Sequence, residues 1–361
     1  MGDILGVGCT HGPHLKLTND TMANVYFRYN LRSDKTPPEW KDPASWPKAL
    51  LEEWGDDEGA TAAEKHRAEL VRGFRAARQA IDDFKPDFVV IFGDDQYENF
   101  REDLLPPFCV YAFDELQLRS SGPREGGGLA GRLGLPLNQI DMPPMQATVP
   151  GSKQLGTFVA DGLIERGFDV SCTWKLHHMG NVGHAFSGTL DYLDWDRRGF
   201  PYPVIPIHVS CYGEDLRVPT PEAGEATGRI MEGVAVRPPT SPAPWRCYDL
   251  GKALAEAIAA SPYRAAIVGS SSWSHASLTP MHGYLWGDVD SDREHLEQLK
   301  AGQTRQWRDL DARQIRASGQ HEMRNWICLA GAMEGRTPEV ITYSESYIFN
   351  SSKCVALFRP N

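Results

Sequence analysis

Between Ala62 and Phe84 the apolar residues Leu70, Phe74, Ala77, Ile81 and Phe84 recur at helical spacing, Lys85-Pro86 stops the pattern, and the run DFVVIF (87–92) follows at once. A helix feeding a continuously apolar run points to a strand buried on both faces, which needs a sheet with helices on each side. The same reading gives a first strand in ILGVGC, and further strands in FDVSCTW (168–174), PVIPIHVS (203–210), RAAIVGS (264–270), EVITYSE and CVALF. Helices are expected over Lys153 to Arg166, Leu250 to Ala260, part of Asp292 to Leu310, and Ser318 to Met333. The predicted fold is α/β: a single large domain over residues 1–361, with a central mixed sheet flanked by helices. Two segments interrupt it. Residues 19–60, rich in Pro and aromatic residues around KTPPEWKDPASWP, read as an ordered insertion packing over a binding site. Residues 217–246 read as a proline-rich loop excursion of low regularity.

A chain of 361 residues can bury a substantial core, and 41% hydrophobic with 24% charged residues is a globular composition. The net charge of −11, without a Lys/Arg run, argues against nucleic-acid binding. The start MGDILGVGCTHG has neither a basic leader nor a long apolar segment, and no apolar span of about 18 residues follows, so no membrane anchoring and a soluble, cytoplasmic protein are expected. Seven dispersed cysteines without a CxxC pair read as reduced thiols.

Several strand-to-loop junctions end in groups able to bind a metal or move a proton. THGPH supplies His11 and His14, FGDDQ supplies Asp94, Asp95 and Gln96, HHMGNVGH supplies His177, His178 and His184, and SSWSH supplies His275. Such groups at one rim of a sheet are what an α/β enzyme presents. The blander accounts are an exposed or structural His11 and an aspartate serving as a helix cap. His66, His208, His295 and His321 read as structural or surface residues; His282 is a candidate for the same cavity as His275. The glycine-rich PREGGGLAG (123–131) follows no strand, so a flexible loop is preferred over a phosphate cradle. In SGQHEMRNWICLAGAM, Ser318 is a candidate helix cap, and Glu322, Trp326, Leu329 and Met333 then share an inward face. A carboxylate there needs a partner, either a bound cation or an arginine such as Arg324.

In order, GVGCTHGPHL, VVIFGDDQYENF, GHAFSGTLDYL, FPYPVIPIHVSCY, VGSSSWSHASLTP and HEMRNWICLAGAM resemble the class III extradiol ring-cleavage dioxygenases, the family of the protocatechuate 4,5-dioxygenase catalytic subunit and gallate dioxygenase. The resemblance implies the same α/β fold and a non-haem Fe(II) held by two histidines and a glutamate. It places His11 and Glu322 on metal-ligand positions and His275 on the catalytic histidine. His184 falls on a second pocket histidine that contacts substrate, with His177 and His178 as rivals. Gln96 stands where relatives carry the second iron histidine. An amide oxygen is a weaker Fe(II) donor than imidazole. Three completions of the shell stay open: Gln96 through its oxygen, His14, or one of Asp94 and Asp95.

The implied reaction is extradiol cleavage of a catechol-like aromatic with O2, with His275 moving the proton and His184 stabilising the substrate oxyanion. Mn or Zn are the other metals considered. Two other classes are carried: a metal-dependent non-oxidative C–C hydrolase or lyase, and a non-catalytic small-molecule binder. The resemblance further implies a homodimer, with a small accessory subunit as a further partner. Tyr26, Phe27, Tyr29, Trp40 and Trp46 of the insertion suit either a flat substrate or an oligomer surface.

Overall fold

Residues 88–93 form a strand near the middle of an eight-stranded sheet. The protein is described by a computed structural model covering residues 2–101, 103–119, 134–176, 178–215, 217–220, 224–230 and 238–360, with backbone alone for 217–220 and 224–230. Its strands are β1 (Asp3–Cys9), β2 (Phe88–Gly93), β3 (Phe108–Tyr111), β4 (Glu115–Gln117), β5 (Thr148–Pro150), β6 (Ser171–Thr173), β7 (Val204–Val209), β8 (Arg217–Thr220), β9 (Gly224–Ile230), β10 (Arg264–Ser270), β11 (Glu339–Ser344) and β12 (Lys353–Phe358). The large sheet runs β11-β12-β1-β10-β2-β7-β3-β6, and β4-β5 and β8-β9 are separate two-stranded ribbons. β1, β10, β2 and β7 are parallel, whereas β12 pairs antiparallel with β1 and β3 antiparallel with β7, so the sheet is mixed as expected.

Along β2 the side chains alternate although all are apolar. Val89 and Ile91 pack with Leu70, Phe74 and Ile81 of the helix Ala60–Phe84 and with Phe186 and Leu190 of the helix His184–Leu193. Phe88, Val90 and Phe92 belong to the opposite core, with Leu250 and Leu254 of Pro244–Ala259 and Trp326 and Leu329 of Met323–Ala332. Full burial of each such side chain contributes about 1.5–3 kcal/mol. The helix Ala60–Phe84 ends where Lys85 turns left-handed (φ 51°), just before the proline that bars continuation. The helices Pro244–Ala259 and Met323–Ala332 cross so tightly that a Cβ on Gly331 would lie 1.8 Å from the Tyr248 carbonyl oxygen, and one on Gly251 1.8 Å from that of Cys328. This crossing fixes the height at which the second helix starts.

That start differs from the expected one. Ser318 follows a separate short helix, Ala312–Ala317; the chain then turns at Gly319 (φ 68°), and the long helix begins at Met323. Ser318 therefore does not cap it, and Glu322 sits just before its first turn. Arg324 donates to the carbonyls of Pro242, Cys211 and His321 and is not the partner of Glu322. The excursion at 217–246 is more regular than expected, since it holds the ribbon β8-β9 and the Pro244 start of a helix. The segment 123–131 lies outside the described residues.

Residues 19–60 fold as short helices, Phe27–Arg32, Pro38–Lys41 and Lys48–Trp54, joined by 3₁₀ turns. Phe27, Trp46 and Leu50 are buried with Leu285, Trp286, Ile348 and Phe349 in a third apolar cluster. Their rings pack edge to face: Phe27 and Trp46 lie 5.3 Å apart between centroids, and Trp40 and Trp286 5.1 Å. Tyr26 stands edge-on to His14. No disulfide joins the seven cysteines. Among the described residues no helix is long and apolar enough to cross a membrane.

Candidate metal centre

The four parallel strands are held in register, with Cys9 opposite Ser270, Gly269 opposite Phe92 and Gly93 opposite His208. Their carboxy ends therefore open on one rim, where Thr10-His11, Asp94 to Gln96, Cys211-Tyr212 and Ser271 to His275 follow. Two helices add their starts from opposite faces: His184 is the first residue of His184–Leu193, and Glu322 immediately precedes Met323–Ala332.

His11 is buried, with Nδ1 3.2 Å from Ser270 Oγ. Its Nε2 lies 3.5 Å from Glu322 Oε2 and 3.9 Å from Asp94 Oδ1. His275 holds the carbonyl of Trp273 at 3.0 Å through Nδ1, which fixes the tautomer and leaves the Nε2 lone pair 3.6 Å from the same Glu322 Oε2. Glu322 Oε1 accepts a hydrogen bond from the Tyr212 hydroxyl. Its Oε2, between two imidazoles, is buried without a hydrogen-bond partner among the described residues.

His184 reaches the cluster from the side, its ring 5.2 Å from that of His11 and nearly perpendicular to it. Its Nδ1 is 2.8 Å from Glu98 Oε2, and its backbone N–H donates to the same oxygen at 3.0 Å. Glu98 Oε1 in turn accepts from Arg119 Nη1 at 2.8 Å. One ligand-type atom each of His11, Asp94 and His184 lies within 4.8 Å of the others.

Electrostatics set the protonation states. Burial, and then the neighbouring charge of Glu322, pushes the Asp94 carboxyl up to about 7. Burial likewise raises Glu322, with the Tyr212 hydrogen bond opposing it. Burial holds His11 well below its ordinary value, aided by His184 and His275, and lowers His275 to about 4. At His184 burial disfavours the imidazolium, yet the adjoining Glu98 outweighs it and raises the ring's pKa. Two buried carboxyls facing imidazole lone pairs are stable when a cation keeps the acids ionised and the rings neutral. The orphaned Glu322 Oε2 and a donor set of imidazole nitrogen and carboxylate oxygen fit Fe(II), Mn or Zn.

Of the residues singled out from the sequence, the structure gathers His11, Asp94, Gln96, His184, His275 and Glu322. Gln96 turns its amide nitrogen toward Tyr212 OH (2.7 Å), Glu322 Oε1 (3.3 Å), His184 Nε2 (3.3 Å) and Asp94 Oδ2 (3.5 Å). Asp95 is spent on the loop, accepting from the backbone N–H groups of Glu98, Asn99 and Phe100. His14 is not brought to His11: the 3₁₀ turn Pro13–Lys16 carries it against Phe349 and His66, with neither ring nitrogen hydrogen-bonded among the described residues. His178 pairs with Asp103 at the surface, and His177 lies outside the described residues. His282 stacks on Trp286 and lines a different cavity, about 420 Å³, with Trp40. Sequence reasoning missed Tyr212 and Glu98. Tyr212 had a signal, since it follows a strand that ends at the same rim; Glu98 had none, because its partner is 86 residues away.

Residues 230–355 match the family described as the catalytic LigB subunit of aromatic ring-opening dioxygenase. The chain is similar to a 2,3-dihydroxyphenylpropionate/2,3-dihydroxicinnamic acid 1,2-dioxygenase 2 of Pseudomonas putida, 30% identical over 47% of this chain and 46% of that one. Enzymes named 2,3-dihydroxyphenylpropionate/2,3-dihydroxicinnamic acid 1,2-dioxygenase from Comamonas testosteroni and Paraburkholderia xenovorans (strain LB400) are 27% and 28% identical, each over 69% of this chain and 60% of the relative. The matches thus span about half to three-fifths of these relatives' length.

Proposed function

We propose that this chain belongs to the LigB family of class III extradiol dioxygenases and opens the ring of a catechol-like aromatic with O2, using a metal held at the rim by His11 and Glu322. The observation that carries the reading is Glu322 Oε2, buried, without a hydrogen-bond partner among the described residues and flanked by His11 Nε2 at 3.5 Å and His275 Nε2 at 3.6 Å. When bound, Fe(II) would supply Lewis acidity toward a vicinal diol and the electron chemistry of O2. The remaining work falls to the chain's own residues. His275, neutral and with its Nδ1 committed to Trp273, takes a proton from a substrate hydroxyl at Nε2 and later returns it. Tyr212 holds the other oxygen of Glu322, so the carboxylate cannot rotate away. The relatives' named substrate makes a catechol bearing a short carboxylate chain the first compound to try. A homodimer, a small accessory subunit and a cytoplasmic location stand as parts of the same proposal.

The test is oxygen consumption by anaerobically purified chain reloaded with Fe(II), offered catechol and 2,3-dihydroxyphenylpropionate. One O2 consumed per ring opened, with a yellow ring-opened product that is a semialdehyde from catechol and a ketone where cleavage falls beside the side chain of 2,3-dihydroxyphenylpropionate, supports the reading. C–C cleavage under strict anoxia would instead mark a hydrolase or lyase, and metal-free protein that binds these compounds without turnover a binding protein.

A further inference from the structure

We propose that His184, braced by Glu98, supplies the second imidazole donor of the metal centre in place of position 96, and that Gln96 serves as a hydrogen-bond donor to the Tyr212–Glu322 pair. The inference rests on the metal-binding part of the proposed function. Four observations converge on it.

The first is position: a ring nitrogen of His184 lies within 4.8 Å of a ligand-type atom of both His11 and Asp94. The second is orientation. With Nδ1 on Glu98 at 2.8 Å, the other ring nitrogen faces the cluster, the arrangement by which a carboxylate fixes the tautomer and aim of a metal-binding histidine. The third is that the brace is itself built. Glu98 is buried, it also accepts the His184 backbone N–H and Arg119 Nη1, and a Cβ at Gly183 would stand 2.6 Å from its Oε2. Glycine at 183 is what lets the carboxylate come this close to the helix start.

The fourth concerns Gln96. Three of the four atoms around its amide nitrogen, Tyr212 OH, Glu322 Oε1 and Asp94 Oδ2, can accept a hydrogen bond, and His184 Nε2 joins them when the ring is neutral. An amide oxygen in that place would face carboxylate oxygens and a ring lone pair, so the N–H side is the one that fits. A side chain presenting N–H groups has no lone pair to offer a cation. Once a cation takes the His184 lone pair, the amide keeps Tyr212 and Glu322 as acceptors. The second imidazole thereby enters from a helix start and not from the end of β2.

The test needs neither substrate nor O2. Metal-stripped full-length chain is titrated with Co(II), reading the visible ligand-field bands and the affinity by competition with a chelator. Thermal melts followed by circular dichroism establish that each variant is folded. His184→Ala should weaken Co(II) binding by more than about 100-fold and alter the bands, and Glu98→Gln should weaken it by about 10- to 100-fold. Gln96→Ala should keep wild-type bands and an affinity within about threefold. The proposal is overturned if Gln96→Ala loses Co(II) while His184→Ala keeps it, or if wild-type chain binds none. Should His184→Ala not fold, His184→Gln and Glu98→Gln carry the same decision. Because the readout is metal binding, ring cleavage can fail while this assignment stands, and the reverse.

Discussion

The helix His184–Leu193 has a buried carboxylate problem at each end, and the chain solves the two differently. Near its carboxy end Asp191 is buried beside Lys16 Nζ, with Arg197 Nη2 2.8 Å from Oδ1, so two fixed cations surround one acid. At its amino end the ring of His184 joins Asp94, Glu322 and His11, and among the described residues no lysine or arginine forms an ion pair with either acid. At the carboxy end the charge serves only the fold, and its counter-charges come from the turn after β1 and from the loop that follows the helix. At the rim His11 and His275 are held neutral and supply lone pairs, which do not neutralise a carboxylate but do bind a dication. The contrast separates a structural ion cluster from a binding site more sharply than burial, which is similar at both.

The comparison can be broken or sharpened by measurement. The largest effect should come from His275→Ala, which lowers turnover by about 10²- to 10⁴-fold while leaving metal content at the wild-type level; equal loss of metal and activity would remove His275 from proton transfer. Next, Lys16→Met leaves Asp191 with Arg197 alone and should cost about 1–3 kcal/mol in guanidinium unfolding without changing metal content. A loss under about 1 kcal/mol would mean that this end, too, is not an obligatory ion cluster. Third, Co(II) at about 100 times its Kd should stabilise the wild-type chain by about 2.7 kcal/mol and the Glu322→Ala variant by far less. Equal stabilisation of both would move the cation elsewhere.

The smallest effect concerns a histidine with no site role. Burial lowers His208 on β7 to about 3, against an ordinary 6.5. Between those values the unfolded chain binds a proton that the folded chain refuses, so stability falls as pH drops from about 6.5 toward 3. His208→Phe should flatten that part of the stability profile, read by urea unfolding at a series of pH values. An unchanged slope would assign the acid sensitivity to other groups.

Much of the frame was legible because its signals are local. DFVVIF, ILGVGC and RAAIVGS became adjacent parallel strands, and the order of their polar endings predicted that His11, Asp94, Gln96 and His275 share a rim. What stayed hidden depends on contacts remote in sequence. The start of the last long helix was placed too early because the turn at Gly319 interrupts a pattern that is apolar on both sides of it. The direction of the Gln96 amide is set by Asp94, His184, Tyr212 and Glu322, which arrive from separate segments. The brace on His184 is invisible without Glu98 beside it, and the turn of His14 toward His66 follows from a 3₁₀ geometry that the letters PHLK do not announce.

The pairing of Cys9 with Ser270 carries a consequence for assembly. Side chains alternate faces along a strand, so sliding β1 by a single position against β10 would invert every one of its residues and swing the His11 imidazole off the rim. Cation capture thus acts as a gauge of correct threading: a misaligned chain could not close its grip on an ion.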